Sequence, residues 1–481
     1  DLLNAVRFPP TTSEALLPYQ FALSLLPAKA APLLEKLFDK YVDPLLAFVK
    51  SSCSSLVAVS ELNMVAALCD LYEALATPAN GVNPDDEDYY KRMVELWFLF
   101  SLIWSLGGSL DQPSRKLLDM ELRQIEGQFP AKDTVFEHYV DVKSKNWAHW
   151  SELIPQGWRY PADAPFHTII VPTVDTLRNT FLIKALLMAD KRPMLVGETG
   201  TGKTSAVKAV LSDRSLAERY SSMTINFSAR TNAARTMAII EDAVEKRTKD
   251  TYYPKGGKRM LCFIDEFNMP QKEEFGAQPP LELIRQWIDL GFWYDKVHQS
   301  QKKIRDMRLV VAMGPPGGGR NTVDPRIMAR FNVLNIVFPS DTQLRRIFSV
   351  LLGQKLQDFE ETIKPLGEVM VSATLELYNF VTATFLPRPA SSHYLFNLRD
   401  LSKVFQGLLR AHRFFYDEKD SIIKLWVHEN FRVFHDRLNC AADREAFRSE
   451  MSDKLLTRFS VSWTKLFGRP EVDPLFGDFM R

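Results

Sequence analysis

The chain has 481 residues, 46% hydrophobic and 25% charged, and a formal net charge of +1. That length exceeds one ordinary domain and points to two to four, and the near-neutral balance gives no global pull toward nucleic acid or an anionic membrane. Its four cysteines, Cys53, Cys69, Cys262 and Cys440, lie far apart without metal-ligand spacing, which suits a reducing compartment. The first residue is Asp1 rather than Met and no signal-peptide pattern follows, so a piece of a longer protein is expected.

Taken in chain order, residues 1–110 are mostly helical by period, as in Leu33-Leu34-Leu37-Phe38-Tyr41-Val42 and Leu45-Leu46-Phe48-Val49. Turn chemistry at Asn83-Pro84-Asp85-Asp86 interrupts them. The most apolar segment, Leu96 to Leu106, is too short to span a bilayer and reads as a core helix. Residues 111–165, with Trp147, Trp150, Pro155 and Trp158, read as a connector. From Thr168-Ile169-Ile170-Val171-Pro172 to about Phe338, strands alternate with helices, which predicts an α/β arrangement: a parallel sheet with flanking helices. Residues 341–481 return to helical periodicity, as in Leu344-Ile347-Phe348-Leu351-Leu352. Trp287, Trp293 and Tyr294 are expected to pack an insertion of the α/β segment, and the basic run Lys255 to Arg259 to be a solvated loop.

Two motifs in the α/β segment carry chemistry. Gly197-Glu198-Thr199-Gly200-Thr201-Gly202-Lys203-Thr204 fits G-x-x-x-x-G-K-[ST], the Walker A pattern, directly after the apolar run Met194-Leu195-Val196. In such a loop the backbone N–H groups turn inward onto phosphate oxygens. Lys203 would reach the β- and γ-phosphates, the Thr204 hydroxyl would ligand Mg²⁺, and Ser205 is counted with the loop among the nucleotide-binding residues, before the helix read at Ala206 to Val210. About sixty residues later, Met260 to Ile264 reads as a buried strand ending in Asp265-Glu266, the Walker B half of the signature. Asp265 would hold the metal and Glu266 would polarise the attacking water. Together these predict a site for ATP or ADP with Mg²⁺.

The segment from Pro172 to Arg399 resembles an AAA+ module of the dynein heavy chain family. The likeness is carried by VPTVDTLRN (171–179), GETGTGKT (197–204), INFSART (225–231), FIDEFNMP (263–270), FGAQPPLELIRQWID (275–289), AMGPPGGGRN (312–321) and SSHYLFNLRDLSKV (391–404). The set looks like the third of six ring modules in an axonemal heavy chain, with a cytoplasmic one as the alternative. FSLIWSLGGSL (100–110) and HWSELIP (149–155) resemble the approach from the second module. The resemblance implies a small helical subdomain of the preceding module at 1–110, a connector at 111–165, a large subdomain at 166–340 and a small helical subdomain at 341–481. It implies Val171-Pro172 against the adenine and Arg399 reaching back toward the phosphates. It also implies as partners the neighbouring modules of the ring, microtubules through a stalk outside this chain, and intermediate and light chains of the complex; neither nucleic acid nor membrane is expected.

Two departures from the family pattern bear on turnover. The strand Leu309 to Met313 runs into Gly314-Pro315-Pro316, where AAA+ modules commonly carry a polar side chain that orients water. In DPRIMARFN (324–332), the region that projects an arginine to the preceding module's nucleotide, Arg330 is the first candidate and Arg326 the second; a structural ion pair is the other reading of either. Two function classes therefore stand side by side: an ATPase module with slow or regulatory hydrolysis in a microtubule motor, and a structural module that holds ADP.

Overall fold

The computed structural model describes residues 31–469 except 162, 296 and 297. The helical reading of residues 1–30 and the end of the 341–481 segment, 470–481, lie outside the described residues. The chain divides into two compact units, one containing residues 31–153 with 176–338, the other 154–175 with residues from 339 onward. No helix among the described residues is long and apolar enough to cross a membrane.

The first unit opens with four helices. Both apolar runs of the first segment fall on α1 (Ala31–Ser52), which continues through Pro44. Helix α2 (Glu61–Leu75) starts where the Ser60 hydroxyl accepts from the Asn63 N–H, satisfying one of the amides that a helix start leaves without a partner. Every residue from Leu96 to Leu106 of α3 (Glu87–Leu106) is buried, as expected for a helix that is apolar all round. Asp111 caps α4 (Gln112–Ile125) in the same way, and an antiparallel hairpin follows, β1 (His138–Asp141) with β2 (Asn146–His149).

Helix α5 (Val174–Met188) then leads into the sheet. Its strands are β3 (Pro193–Val196), β4 (Tyr220–Asn226), β7 (Arg259–Asp265), β10 (Met307–Met313) and β11 (Asn332–Asn335), while α6 (Lys203–Leu211), α7 (Ala233–Asp242) and α8 (Pro279–Leu290) lie between them in sequence. The strand order is β11-β3-β10-β7-β4, and each neighbouring pair is parallel. All of β3 and nearly all of β7 and β10 are buried, which is why these strands read as unbroken apolar runs rather than alternating ones. Met194, Val196, Met260, Cys262, Ile264 and Val311 of the sheet share one core with Leu281, Ile284 and Ile288 of α8.

A second, four-stranded sheet of order β5-β6-β9-β8 contains β5 (Val244–Thr248), β6 (Thr251–Pro254), β8 (Phe292–Tyr294) and β9 (Gln301–Ile304). Trp293 is buried in it and donates to Glu241 Oε1 at 2.9 Å, and Trp287 donates to the Ile304 carbonyl at 3.2 Å. The helices and the main sheet meet at Arg115, which donates to the carbonyls of Gly107 (3.1 Å), Gly108 (2.9 Å) and Asn335 (2.8 Å). Asn335 completes the seam by donating its N–H to the Gly108 carbonyl at 2.7 Å.

The second unit is helical: α9 (Asp341–Leu356), α10 (Leu366–Thr384), α11 (Leu398–Leu408), α12 (Lys419–Val433) and α13 (Ala441–Phe459). Phe348 and Phe405 stack with ring centroids 4.0 Å apart in a core shared with Trp426, Phe434 and Phe447. The run from Thr168 to Pro172, expected to begin the strand pattern, forms no strand. Val171 is instead buried in this helical core, Ile169 packs against it, and the Pro172 carbonyl accepts from Arg346 Nε at 3.2 Å. An apolar run of five residues is satisfied by either kind of burial.

Candidate functional site

The main sheet brings the two motifs to one edge. Met313 of β10 lies opposite Val196 of β3, and Val311 lies opposite both Met194 of β3 and Ile264 of β7. The residues that leave these three strands, Gly197, Asp265 with Glu266, and Gly314, therefore emerge together at the carboxyl ends of a parallel sheet. In open α/β sheets that edge is where ligands bind.

The Gly197–Thr204 loop wraps the start of α6, whose N-cap is Gly202 at φ 88 and ψ 14. A side chain at that left-handed position would be strained. Ala206, Val207 and Val210 bury the far face of α6 and hold its N-terminus at the sheet edge. Glu198, Thr199 and Ser205 are exposed, while Gly197 and Thr201 are buried. The Thr201 hydroxyl donates to the Glu198 carbonyl at 3.0 Å and stiffens the loop from inside. Lys203 folds back over the loop, its Nζ donating to the carbonyls of Gly197 and Glu198, each at 2.7 Å.

Thr204, on α6, and Asp265, at the end of β7, come from separate motifs, yet the Thr204 hydroxyl donates to Asp265 Oδ2 at 2.7 Å. These are hard oxygen donors. Mg²⁺ is ordinarily held by one or two such protein oxygens plus water and substrate phosphates rather than by an all-protein cage. Two such protein oxygens could hold a metal of this kind; among the described residues no group of three or more His, Cys, Asp or Glu is arranged for a metal.

Asp265 Oδ1 also accepts the Glu266 N–H at 3.0 Å, and Glu266 sits at φ 54, a conformation uncommon outside glycine. The Glu266 carboxylate receives a two-pronged pair from Arg320: Nε to Oε2 and Nη2 to Oε1, both 3.1 Å. The sequence reading did not single out Arg320. Its signal was the run Gly317-Gly318-Gly319 before an arginine at the end of a buried strand, since a glycine turn brings the chain back to the strand end.

The remaining sequence-predicted residues lie elsewhere. Arg330, in the first unit, forms a close ion pair with Asp289 of α8, Nε to Oδ1 2.7 Å. Arg326 is exposed on the short helix Pro325–Met328. Val171, Pro172 and Arg399 belong to the second unit. There Arg399 is exposed in the first turn of α11, and Asp400 beside it pairs with Lys403 (3.1 Å) and Arg437 (2.9 Å).

Comparison with known proteins agrees with this architecture. Residues 158–339 match the family described as P-loop containing dynein motor region. Residues 34–152 match the dynein heavy chain AAA lid domain and 349–444 the dynein heavy chain ATPase lid domain. Over 448 residues the chain is 52% identical to dynein axonemal heavy chain 2 of Mus musculus and 51% to that of Homo sapiens, in each case 93% of this chain and 10% of the relative. It is 42% identical over 477 residues to the Chlamydomonas reinhardtii dynein-1-beta heavy chain of the flagellar inner arm I1 complex, again 93% of this chain and 10% of the relative. The chain thus spans about a tenth of the length of the curated relatives it matches. Matched by the motor-region and lid families and 42–52% identical to axonemal heavy chains over 93% of its length, the chain belongs to the dynein heavy chain family and covers part of its AAA motor region.

Proposed function

We propose that this chain is a nucleotide-binding module of an axonemal dynein motor ring, acting in ATP-driven microtubule motility of cilia or flagella. Its place would be the third module, preceded by the lid of the second. The observation that carries the proposal is the meeting of Thr204 and Asp265 at 2.7 Å, beside Lys203 on the phosphate-type loop. On this reading Lys203 leaves the loop carbonyls to neutralise β- and γ-phosphate oxygens, and Thr204 and Asp265 hold Mg²⁺. Bound Mg²⁺ supplies charge neutralisation at the phosphates. Glu266 takes the proton of the attacking water. Val171 and Pro172 are assigned to the adenine and Arg399 to the phosphates by resemblance to the family.

Hydrolysis by the chain alone is expected to be slow, because an arginine from a following module contributes several powers of ten in rate in P-loop enzymes. The second reading, an ADP-holding module without significant turnover, is favoured by one feature, the engagement of both Glu266 carboxylate oxygens by Arg320.

Titration of a fluorescent ADP or ATP into the chain, with and without Mg²⁺, tests the site. Lys203→Ala should weaken binding by about 2–4 kcal/mol, the range for removing one partner of a desolvated charge pair, or roughly 30- to 1000-fold in Kd. Unchanged affinity in that variant would remove the assignment.

A further inference from the structure

Strand β10 ends at Met313, and the space a side chain would fill at the next residue, Gly314, is taken by Arg320. A Cβ on Gly314 would lie 2.5 Å from Arg320 Nε and 2.7 Å from its Cδ. The connecting loop is closed on itself: the Gly317 N–H donates to the Arg320 carbonyl at 3.0 Å, and the Arg320 N–H to the Gly317 carbonyl at 3.1 Å. Gly317, Gly318 and Gly319 all have positive φ, at 117, 57 and 89.

The loop is also fastened to the end of β7. Asn268, fully buried, donates from Nδ2 to the carbonyls of Gly314 (2.9 Å) and Asn321 (3.1 Å). In return the Asn321 N–H donates to the Asn268 carbonyl at 3.1 Å, and its side chain to the Pro270 carbonyl at 2.9 Å. Arg320 therefore reaches Glu266 from a fixed base. Glu266 is fixed too, by its own backbone and by the bond from its N–H to Asp265. Both backbones are thus held before the pair forms, which leaves only the two side chains to be ordered by it.

We infer that Arg320 is an intrachain clamp on Glu266, a positioning residue that holds the carboxylate away from water and must release it before hydrolysis. The inference rests on the nucleotide-site reading above. In the hydrolytic step the water oxygen bonds to the γ-phosphorus while the bond from that phosphorus to the bridging oxygen breaks. ADP and phosphate leave, and the proton of the water passes to Glu266. A general base must offer a lone pair to that water within hydrogen-bond reach. The guanidinium fork engages both carboxylate oxygens in one plane, the strongest geometry available to the pair, so the base is engaged elsewhere. Gly314 is then not a missing water-orienting residue. It is the vacancy through which the clamp reaches its target.

The test uses the full chain in four versions: wild type, Arg320→Ala, Gly314→Ala and Arg320→Lys. ATP affinity is measured by fluorescent-nucleotide titration, and the hydrolysis rate constant by single turnover with ATP. Gly314→Ala adds one methyl group, leaves both charges and pushes Arg320 aside, so it covers the case in which Arg320→Ala folds poorly. Both alanine variants should hydrolyse about three- to tenfold faster than wild type, the gain expected on freeing a part-exposed bidentate pair, with ATP affinity within about twofold. Arg320→Lys keeps the charge without the fork and should fall between. Glu266→Gln should remove hydrolysis in every background. A rate that falls or stays unchanged in both alanine variants while affinity is retained overturns the clamp. A wild-type chain that binds no nucleotide overturns the site reading instead, and the titration reveals that separately.

Discussion

Arg330→Ala should destabilise the α/β unit itself, whatever the residue does for a neighbouring module. Its guanidinium lies against α8 with Nε 2.7 Å from Asp289 Oδ1 and Nη2 3.5 Å from Oδ2, and both side chains are only 13% exposed. Removing one partner of a buried pair costs about 3–5 kcal/mol when the other charge is left alone. Here Asp289 keeps Arg285, whose Nη1 is 3.1 Å from Oδ2, so a loss near about 2–3 kcal/mol is expected. Arg326→Ala removes an exposed side chain four residues earlier and should change stability by less than about 0.5 kcal/mol. Urea unfolding followed by tryptophan fluorescence gives both values, and the cycle through Asp289→Ala should return a coupling above about 1 kcal/mol. A stability for Arg330→Ala equal to that of Arg326→Ala, or a cycle without coupling, would refute the reasoning. If the loss is found, any trans role of Arg330 requires it first to leave Asp289, whereas Arg326 already stands at the surface.

Two smaller predictions concern titrating groups. Burial pushes the Cys262 thiol up to about 12, so at pH 8 about one molecule in ten thousand carries the thiolate; maleimide should label exposed Cys440 in the native chain and Cys262 only after unfolding, and rapid native labelling at Cys262 would contradict the buried strand. The Lys184 ammonium, 2.6 Å away, and Ser215 hold Asp213 down to about 2, so its folded value lies below its unfolded one. The stabilisation is therefore present above about pH 4 and lost as pH falls toward 2. Asp213→Asn should cost about 1 kcal/mol near pH 7 after discounting for solvent screening, with the gap to wild type in urea midpoints closing over that acidic window.

What was legible in the sequence follows from how locally each feature is determined. The strands β3, β7 and β10 are buried on both faces, so continuous apolar runs announced them, and the loop motif after β3 could be read residue by residue. The core helix at Leu96 to Leu106 was visible for the same reason. Strand β5 has only Val244 buried among five residues, so its existence depends on pairing with β6 rather than on any apolar pattern. The run Thr168 to Pro172 looked like a strand because an apolar run does not name its partner; Val171 is buried in a helical core and Ile169 packs against it. Arg320 was not legible as a partner of Glu266, since a contact 54 residues away in sequence depends on three glycines in unusual conformations and a buried asparagine.

The site's polar groups fall into two sets with different consequences. Lys203 donates to loop carbonyls and the Thr204 hydroxyl to Asp265 Oδ2, contacts that phosphates and a cation would replace on the proposed reading, while Asp265 Oδ1 keeps the Glu266 N–H. On that reading, exchanging those contacts would set affinity. Glu266 and Arg320 pair with each other, and the Arg320 loop is fastened by Asn268. On the clamp proposal, breaking that pair would set turnover. Such a module would, on the same proposal, retain nucleotide while its base is engaged and would hydrolyse it when the 314–321 loop gives way. Affinity and rate are then separable by mutation. Lys203→Ala acts mainly on Kd, Gly314→Ala mainly on the single-turnover rate, and a variant of either set that moved both quantities equally would mean the two sets are one.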